Sequence, residues 1–528
     1  MNPKIASLLQ VHYHFRLGGV SEVIRGYSEA FSAIYGSDSF NALICSNEIQ
    51  QNNLDIKIIN LSECDYHNFN GQDEYYHFRD LLVNKIEAVL EMMPLPAVIL
   101  CHNMTLAKNP ALSSALRFLA QKKDCKAYRF FWVVHDLAEE GRIDLLNKIE
   151  ELQKSGIAIK DDLYAIGAPV NYLAPGENIC SVLRNSGFKV YCLPNPMRIK
   201  STFPESISRS VFIENMKILT ARDGFVFDSN LPVCYYPGRL IMRKNVLEAI
   251  MIACIFLDAN LILGAPGTST SDRKLYDNLA DLVKQTRLRV AFNPFRLSWS
   301  SMDQHNQSNN PVPYLYKMCD LALSTSVSEG FGYALYEPWL FNKTLIARRP
   351  AGFIYPQKMD SSLLYEHMPV PLNWICWGEL KDKFLQYSSR FIGKDLNLKV
   401  AEQYLIKNET VDFAILDLET QIGVLKKILF DQTARQRMSD LFRIFFPSWK
   451  VLSQNKPVEE NLIRHNCDVV LDLFSNQRFM SSFQKCISMV PEVNHSKIKY
   501  KNIHLELWRR GFKLFFSNSG GYNENITK

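Results

Sequence analysis

The chain has 528 residues, 47% of them hydrophobic and 22% charged, which excludes a disordered or collagen-like polymer and leaves room for two to four domains of about 100 to 200 residues each. Lys and Arg number 60 against 54 Asp and Glu, a net charge of +6, too small and too dispersed for a nucleic-acid surface but compatible with anionic ligands. Twelve cysteines stand singly with no C-x-x-C pair, so zinc-ribbon and thioredoxin-type chemistry fall away and reduced thiols in a cytoplasmic protein are expected.

The amino-terminal segment turns polar at His12 before a signal-peptide core is complete, and no run reaches the roughly 18 apolar residues of a membrane span. Glycosylation triplets such as Asn408-Glu-Thr410 are therefore expected to go unread. Short apolar runs then alternate with longer helical patterns, the rhythm of βαβ units around a mostly parallel sheet. In the first half the pattern predicts strands over 5–11, 97–101, 130–134, 162–166 and 190–193, and helices over 21–35, 80–92 and 112–120. The rhythm breaks after Pro194-Asn195-Pro196 and resumes with strands over 233–236, 261–264, 289–292, 321–324 and 344–347. Residues 303–313, rich in Asn, Gln and Pro, read as a surface loop, and from about residue 395 onward the chain reads as helical.

Ligands of an open parallel sheet bind beyond the carboxyl ends of its strands. The first strand runs into His12, His14, Gly18-Gly19-Val20 and a helix carrying Glu22 and Arg25. The glycines let backbone approach a ligand, and a helix start favours an anion. Two further strands end in His102-Asn103 and His135-Asp136. Nothing in them shows the i, i+4 histidine pairing of a zinc protease, and a polar, sugar-sized cleft explains the imidazoles together. In the second half one strand ends in Pro237-Gly238-Arg239, and Arg243-Lys244-Asn245 is read as opening the helix 246–256. Arg239 and Lys244 thus lie across one strand-to-helix turn, where two cations suit the charge that builds on a departing diphosphate. No Asp-x-Asp stands in the chain to carry a divalent metal for that task. The run Leu321 to Glu337 enters a turn, Glu329-Gly330-Phe331-Gly332, and then a helix. Its N–H groups suit phosphate, and Glu329 and Glu337 suit sugar hydroxyls.

On Gly18-Gly19-Val20 with Glu22, Val134-His135-Asp136, Leu193-Pro194-Asn195-Pro196, Pro237-Gly238-Arg239 with Lys244, and Glu329-Gly330-Phe331-Gly332 with Glu337, the chain resembles the retaining GT-B nucleotide-sugar glycosyltransferases. That resemblance covers about residues 1 to 350. It implies an α/β fold of two Rossmann-like domains facing across a cleft, with an acceptor-side domain at 1–197, a nucleotide-sugar domain at 198–450, and a crossover helix with a helical tail at 451–528. It implies that Arg239 and Lys244 hold the diphosphate, Glu337 the ribose and Glu329 the donor sugar. Gly18 and Gly19, and the Gly330-Phe331-Gly332 turn, would approach the phosphates or sugar, with His135 beside the donor sugar. His12, His102, Asn103, Asp136 and Arg142 fall on the acceptor side; an ion pair of Arg142 with Glu139 accounts for that arginine equally well. The catalytic set is then His135, Arg239, Lys244 and Glu329, with neither metal nor cofactor and with a UDP-sugar as the favoured donor.

The sequence departs from the family after Glu337, where Pro338-Trp339-Leu340-Phe341-Asn342 replaces a run of small residues. Residues 446–449, Phe-Pro-Ser-Trp, resemble the segment that crosses back to the first domain, and beyond about residue 475 no counterpart exists. The tail carries Lys497, Lys499, Lys501 and then Trp508 to Phe516; packing on its own domain, peripheral membrane contact and a protein partner are its open readings. The expected activity is transfer of a hexose from a nucleoside diphosphate sugar to a sugar, polyol, lipid or protein acceptor. The rivals are a sugar-nucleotide epimerase or phosphorylase of the same architecture and a catalytically silent sugar-binding scaffold.

Overall fold

Strands buried on both faces read as near-continuous apolar runs, and two such sets build the protein. The computed structural model describes residues 5–16, 18–46, 56–140, 142–197, 208–267, 270–297, 311–391, 405–454, 458–493, 503–504 and 506–507. The chain divides into two units, residues 1–198 with 473–509, and residues 199–472 with 510–528.

The first unit carries a seven-stranded parallel sheet of β1 (Ser7–Val11), β2 (Phe40–Cys45), β3 (Lys57–Asn60), β4 (Ala97–His102), β5 (Tyr128–Val133), β6 (Val170–Ala174) and β7 (Val190–Cys192), in the order β3-β2-β1-β4-β5-β6-β7. The chain leaves β1 toward one edge and returns to β4 on the other side, so the topological switch lies between β1 and β4. Leu8, Val98, Leu100, Phe131 and Val133 form the sheet side of a core closed by Val23, Tyr27 and Phe31 of the helix Gly19–Tyr35. The helix Asn476–Ile487 seals it with Phe479 and Phe483, whose rings meet Tyr27 at 5.6 and 5.2 Å.

The second unit repeats the plan with six parallel strands, β8 (Val233–Tyr236), β9 (Asn260–Leu263), β10 (Val290–Phe292), β11 (Leu321–Ser324), β12 (Thr344–Arg348) and β13 (Leu364–Tyr365), ordered β10-β9-β8-β11-β12-β13. Its switch lies between β8 and β11. A small antiparallel sheet of β14 (Pro369–Pro371), β15 (Ile406–Lys407) and β16 (Thr410–Asp412) follows, then mostly helices. Among the described residues no helix is long and apolar enough to cross a membrane.

Three expectations are corrected. Residues 162–166 are not a strand: Ile159–Leu163 is a short helix, held by Asp162, which accepts from Tyr75 Oη at 2.8 Å and Arg117 at 2.9 Å. The strand is instead Val170–Ala174, immediately after Pro169. Residues beyond 395 are not wholly helical, since β15 and β16 hydrogen-bond there. Trp449 packs within the second unit on Phe256 and Phe442, and the segment that joins the first unit is the helix Asn476–Ile487 instead. Of the loop read over 303–313, residues 303–310 lie outside the described residues, as does the basic stretch of Lys497, Lys499, Lys501 and 508–516, while Val312 and Pro313 open the helix Val312–Met318.

Candidate functional site

In the first unit the ends of β1, β4 and β5 are tied into one polar cluster. Asn103, left-handed at φ 60°, receives the backbone N–H of His135 at 3.0 Å and of Asp136 at 3.3 Å on its Oδ1. Its carbonyl accepts from Tyr13 Oη at 2.9 Å. His12, His102 and His135 are all buried, and His102 is flanked by His135 Nε2 on Nδ1 and Gln10 Oε1 on Nε2, each at 3.0 Å. Burial drives all three imidazoles down, His12 to about 3, His135 to about 4 and His102 well below its ordinary value. They are therefore neutral near pH 7 and act as hydrogen-bonding groups rather than cations.

Arg142 pairs with Asp136 at 2.7 Å. The proposed partner Glu139 is instead buried and accepts from Tyr164 Oη at 2.9 Å, because a carboxylate taken out of water needs a donor at hand. A Cβ placed on Gly18 or Gly19 meets nothing within 4 Å, so no internal contact demands glycine there and the space beside both stays open. Glu22 pairs with Arg25 at 2.6 Å.

In the second unit β8 runs into Gly238, at φ +125°. A Cβ on Gly264, at the end of β9, would stand 1.8 Å from the Gly238 carbonyl oxygen, so the two strand ends touch through backbone alone. Arg239 is exposed. The helix read over 246–256 is present, α-helical at Val246–Ile250 and π-helical at Met251–Phe256, and it is entered through a 3-10 turn at Met242–Lys244 and a left-handed Asn245 at φ 48°. The end of β11 clamps this turn. Thr325 Oγ1 donates to the carbonyls of Lys244 and Asn245 at 3.0 and 2.9 Å, Val327 N–H to that of Arg243 at 3.0 Å, and Tyr236 Oη to that of Lys244 at 2.6 Å.

That clamp brings Lys244 and Glu329, 85 residues apart, into a buried ion pair. Arg243 adds a second cation, with Nη1 3.5 Å from Glu329 Oε2 and 2.6 Å from the Ser328 carbonyl. Burial by itself raises the Glu329 carboxyl, but the charges of Lys244 and Arg243 outweigh it and hold the group below its ordinary value. Glu337 lies on the helix Tyr333–Leu340 and accepts from Tyr316 Oη at 3.2 Å. Gly332, at φ +84°, makes the turn into that helix, and Phe331 is buried against Tyr333 and Tyr336.

Behind the clamp lies an ion network sealed from water. Arg348 donates to Glu248 at 2.9 and 2.6 Å and to Asp412 at 2.9 and 2.8 Å, and Asn245 Nδ2 donates to Glu248 at 2.8 Å. Sequence reasoning missed Arg243, Gln10 and this network. A glutamine within the otherwise apolar run of β1 was a signal; Arg243 offered none beyond adjacency to Lys244. Among the described residues, one group of metal-ligating side chains lies within 4.8 Å of one another, Glu177, Cys180 and Cys192, and it contains none of the expected site residues.

No protein-family model matches the chain. A curated relative, mannosylglucosyl-3-phosphoglycerate synthase from Petrotoga mobilis, is 22% identical over 467 residues, covering 85% of this chain and 86% of its own. Among solved structures, sucrose-phosphate synthase from Thermosynechococcus elongatus superposes with a TM-score of 0.53 at 12% identity, over 91% of this chain and 98% of that one. A trehalose-6-phosphate structure from E. coli, bound with UDP-2-fluoro glucose, gives 0.50 at 11% identity, over 92% and 100%.

Proposed function

We propose, for a chain that has the GT-B fold, that it is a retaining glycosyltransferase moving a hexose from a nucleoside diphosphate sugar to an acceptor without a bound metal. The observation that carries this reading is the second unit's cluster at its sheet's switch point: Lys244 and Arg243 gathered on Glu329, with Arg239 exposed just past the end of β8. Breaking a sugar-diphosphate bond places negative charge on the leaving oxygen, and fixed cations stabilise that charge without reorganising at the moment of reaction. In the resting protein Glu329 occupies Lys244. A diphosphate arriving at Lys244 and Arg239 competes for the ammonium and leaves the carboxylate to accept hydrogen bonds from the donor sugar. Glu337 accepts from the ribose, and the Gly330-Phe331-Gly332 turn offers N–H groups to phosphate.

His135 does not serve as a base in this reading. An imidazole held at about 4 is a weak proton acceptor near pH 7, which supports a same-face displacement in which the departing phosphate oxygen takes the acceptor's proton and no protein nucleophile is needed. His12, Asp136 and Arg142 belong to the acceptor side, and Gly18 and Gly19 leave room for phosphate or sugar. The products named for two similar proteins, mannosylglucosyl-3-phosphoglycerate and sucrose phosphate, carry a phosphate, which favours a phosphorylated acceptor here, and the UDP-2-fluoro glucose bound in one neighbour favours a UDP-linked donor.

A thermal-shift panel of nucleotides and nucleotide sugars tests donor binding. A UDP-sugar at about 100 times its dissociation constant stabilises the folded protein by about 2.7 kcal/mol, and Lys244→Ala should weaken that shift. A panel in which no nucleotide or nucleotide sugar raises the melting temperature counts against the reading.

A further inference from the structure

Gln10 is fully buried within β1. Its amide is oriented by two donations from Nε2, to the Ile24 carbonyl at 2.9 Å and to Ser28 Oγ at 2.7 Å. Turning the amide over would set oxygen against the Ile24 oxygen. Oε1 therefore faces His102 Nε2, and that nitrogen must carry a proton. His102 is wholly out of water and neutral, so its Nδ1 is bare. The bare nitrogen lies 3.0 Å from His135 Nε2, which must supply the proton of this second bond. The two rings are within 3° of parallel, with centroids 5.3 Å apart. Together with the 3.0 Å nitrogen separation, this is the arrangement of two coplanar imidazoles joined in line, not of rings stacked face to face.

We propose that Gln10 and His102 are positioning residues that hold His135 as its Nε2–H tautomer and present its bare Nδ1 as a hydrogen-bond acceptor for a sugar hydroxyl. Among the described residues Nδ1 of His135 has no partner. Each proton in the row points inward, from His135 to His102 and from His102 to Gln10, so the outermost nitrogen can only accept. A hydroxyl satisfies it; an ether or carboxylate oxygen in the same place faces a lone pair and is rejected. The hydroxyl's identity rests on the glycosyltransferase reading, whereas the tautomer does not.

The test is nuclear magnetic resonance of the full chain, without substrate, carrying 15N-labelled histidine. The expected result is a proton on His135 Nε2 that shows scalar coupling across the bond to His102 Nδ1 and exchanges slowly with solvent. His102→Gln can both accept from His135 and donate to Gln10, and should keep that proton protected. His102→Leu can do neither and should speed its exchange by about 10-fold or more. A wild-type proton on His135 Nδ1, or exchange unaltered in His102→Leu, overturns the proposal. Should His102→Leu fail to fold, the wild-type coupling and the His102→Gln spectrum still decide it. In turnover, His102→Leu should lower kcat by about 10-fold or more with His102→Gln restoring it; unchanged kcat in His102→Leu would overturn the positioning role. A wild type that shows the coupling yet transfers no sugar contradicts the functional reading alone.

Discussion

Lys244 and Glu329 neutralise each other in the resting protein, and the charge of Lys244, with that of Arg243 from the other side, keeps the carboxylate ionised against its burial. On the proposed reading the cations are stored next to a counter-charge that an arriving diphosphate would replace, so they need not wait unpaired in a desolvated pocket. The first unit uses the opposite device, neutral buried imidazoles. Because folding lowers the pKa of His12, His102 and His135, the unfolded chain binds more protons than the folded one once pH drops below about 6.5. Stability should therefore be full above that value and fall as pH declines toward about 4, by about 1.4 kcal/mol per pH unit for each imidazole. Urea unfolding at a series of pH values checks this, and His102→Gln should flatten the slope by one group's share. At this scale the sequence exposed residues that follow strand ends, such as Lys244, Glu329 and His135, because position after a strand is a local property. Arg243 and Gln10 stayed hidden, because their partners, Ser328 and Glu329 in one case and His102 in the other, are far away along the chain.

Among the elements, the βα rhythm made the two parallel sheets legible, whereas residues 162–166 were misread since five residues with apolar members fit a strand or a helical turn equally. What decides is tertiary: Tyr75 and Arg117 reach Asp162 and hold the turn. The 3-10 turn at Met242–Lys244 and the left-handed Asn245 were likewise invisible, being imposed by Thr325, Val327 and Tyr236 from neighbouring strands. The Glu248–Arg348–Asp412 network fixes the same region from behind. Arg348→Met removes the cation shared by two buried carboxylates, leaves Glu248 with the neutral donors Asn245 and Tyr365 and takes the guanidinium from Asp412, so the second unit should lose about 3–5 kcal/mol of stability. Chemical denaturation of the variant measures it. A loss under about 1 kcal/mol would mean that water and the remaining donors, Asn245 and Tyr365 on Glu248 and the Ala414 N–H on Asp412, suffice without the guanidinium.

Taken whole, the chain is two α/β units with a carboxyl-terminal helix, Asn476–Ile487, belonging to the first. No family counterpart for that helix is legible in the sequence, yet its aromatic pair completes the core over Tyr27. Phe483→Ala should therefore cost the first unit about 3–5 kcal/mol, read as faster amide exchange in β1, β4 and the helix Gly19–Tyr35 with the second unit unchanged. The central claim, that fixed cations assist departure of a nucleoside diphosphate, is tested most directly by following UDP release and the anomeric configuration of the product, with a UDP-sugar, phosphorylated sugar acceptors and a chelator present. The account predicts acceptor-dependent release that the chelator leaves intact, a product that keeps the donor's configuration, and a loss of about 100-fold in turnover for Lys244→Ala. Inverted product, a sugar nucleotide altered with no acceptor present, or wild-type turnover in Lys244→Ala would contradict it.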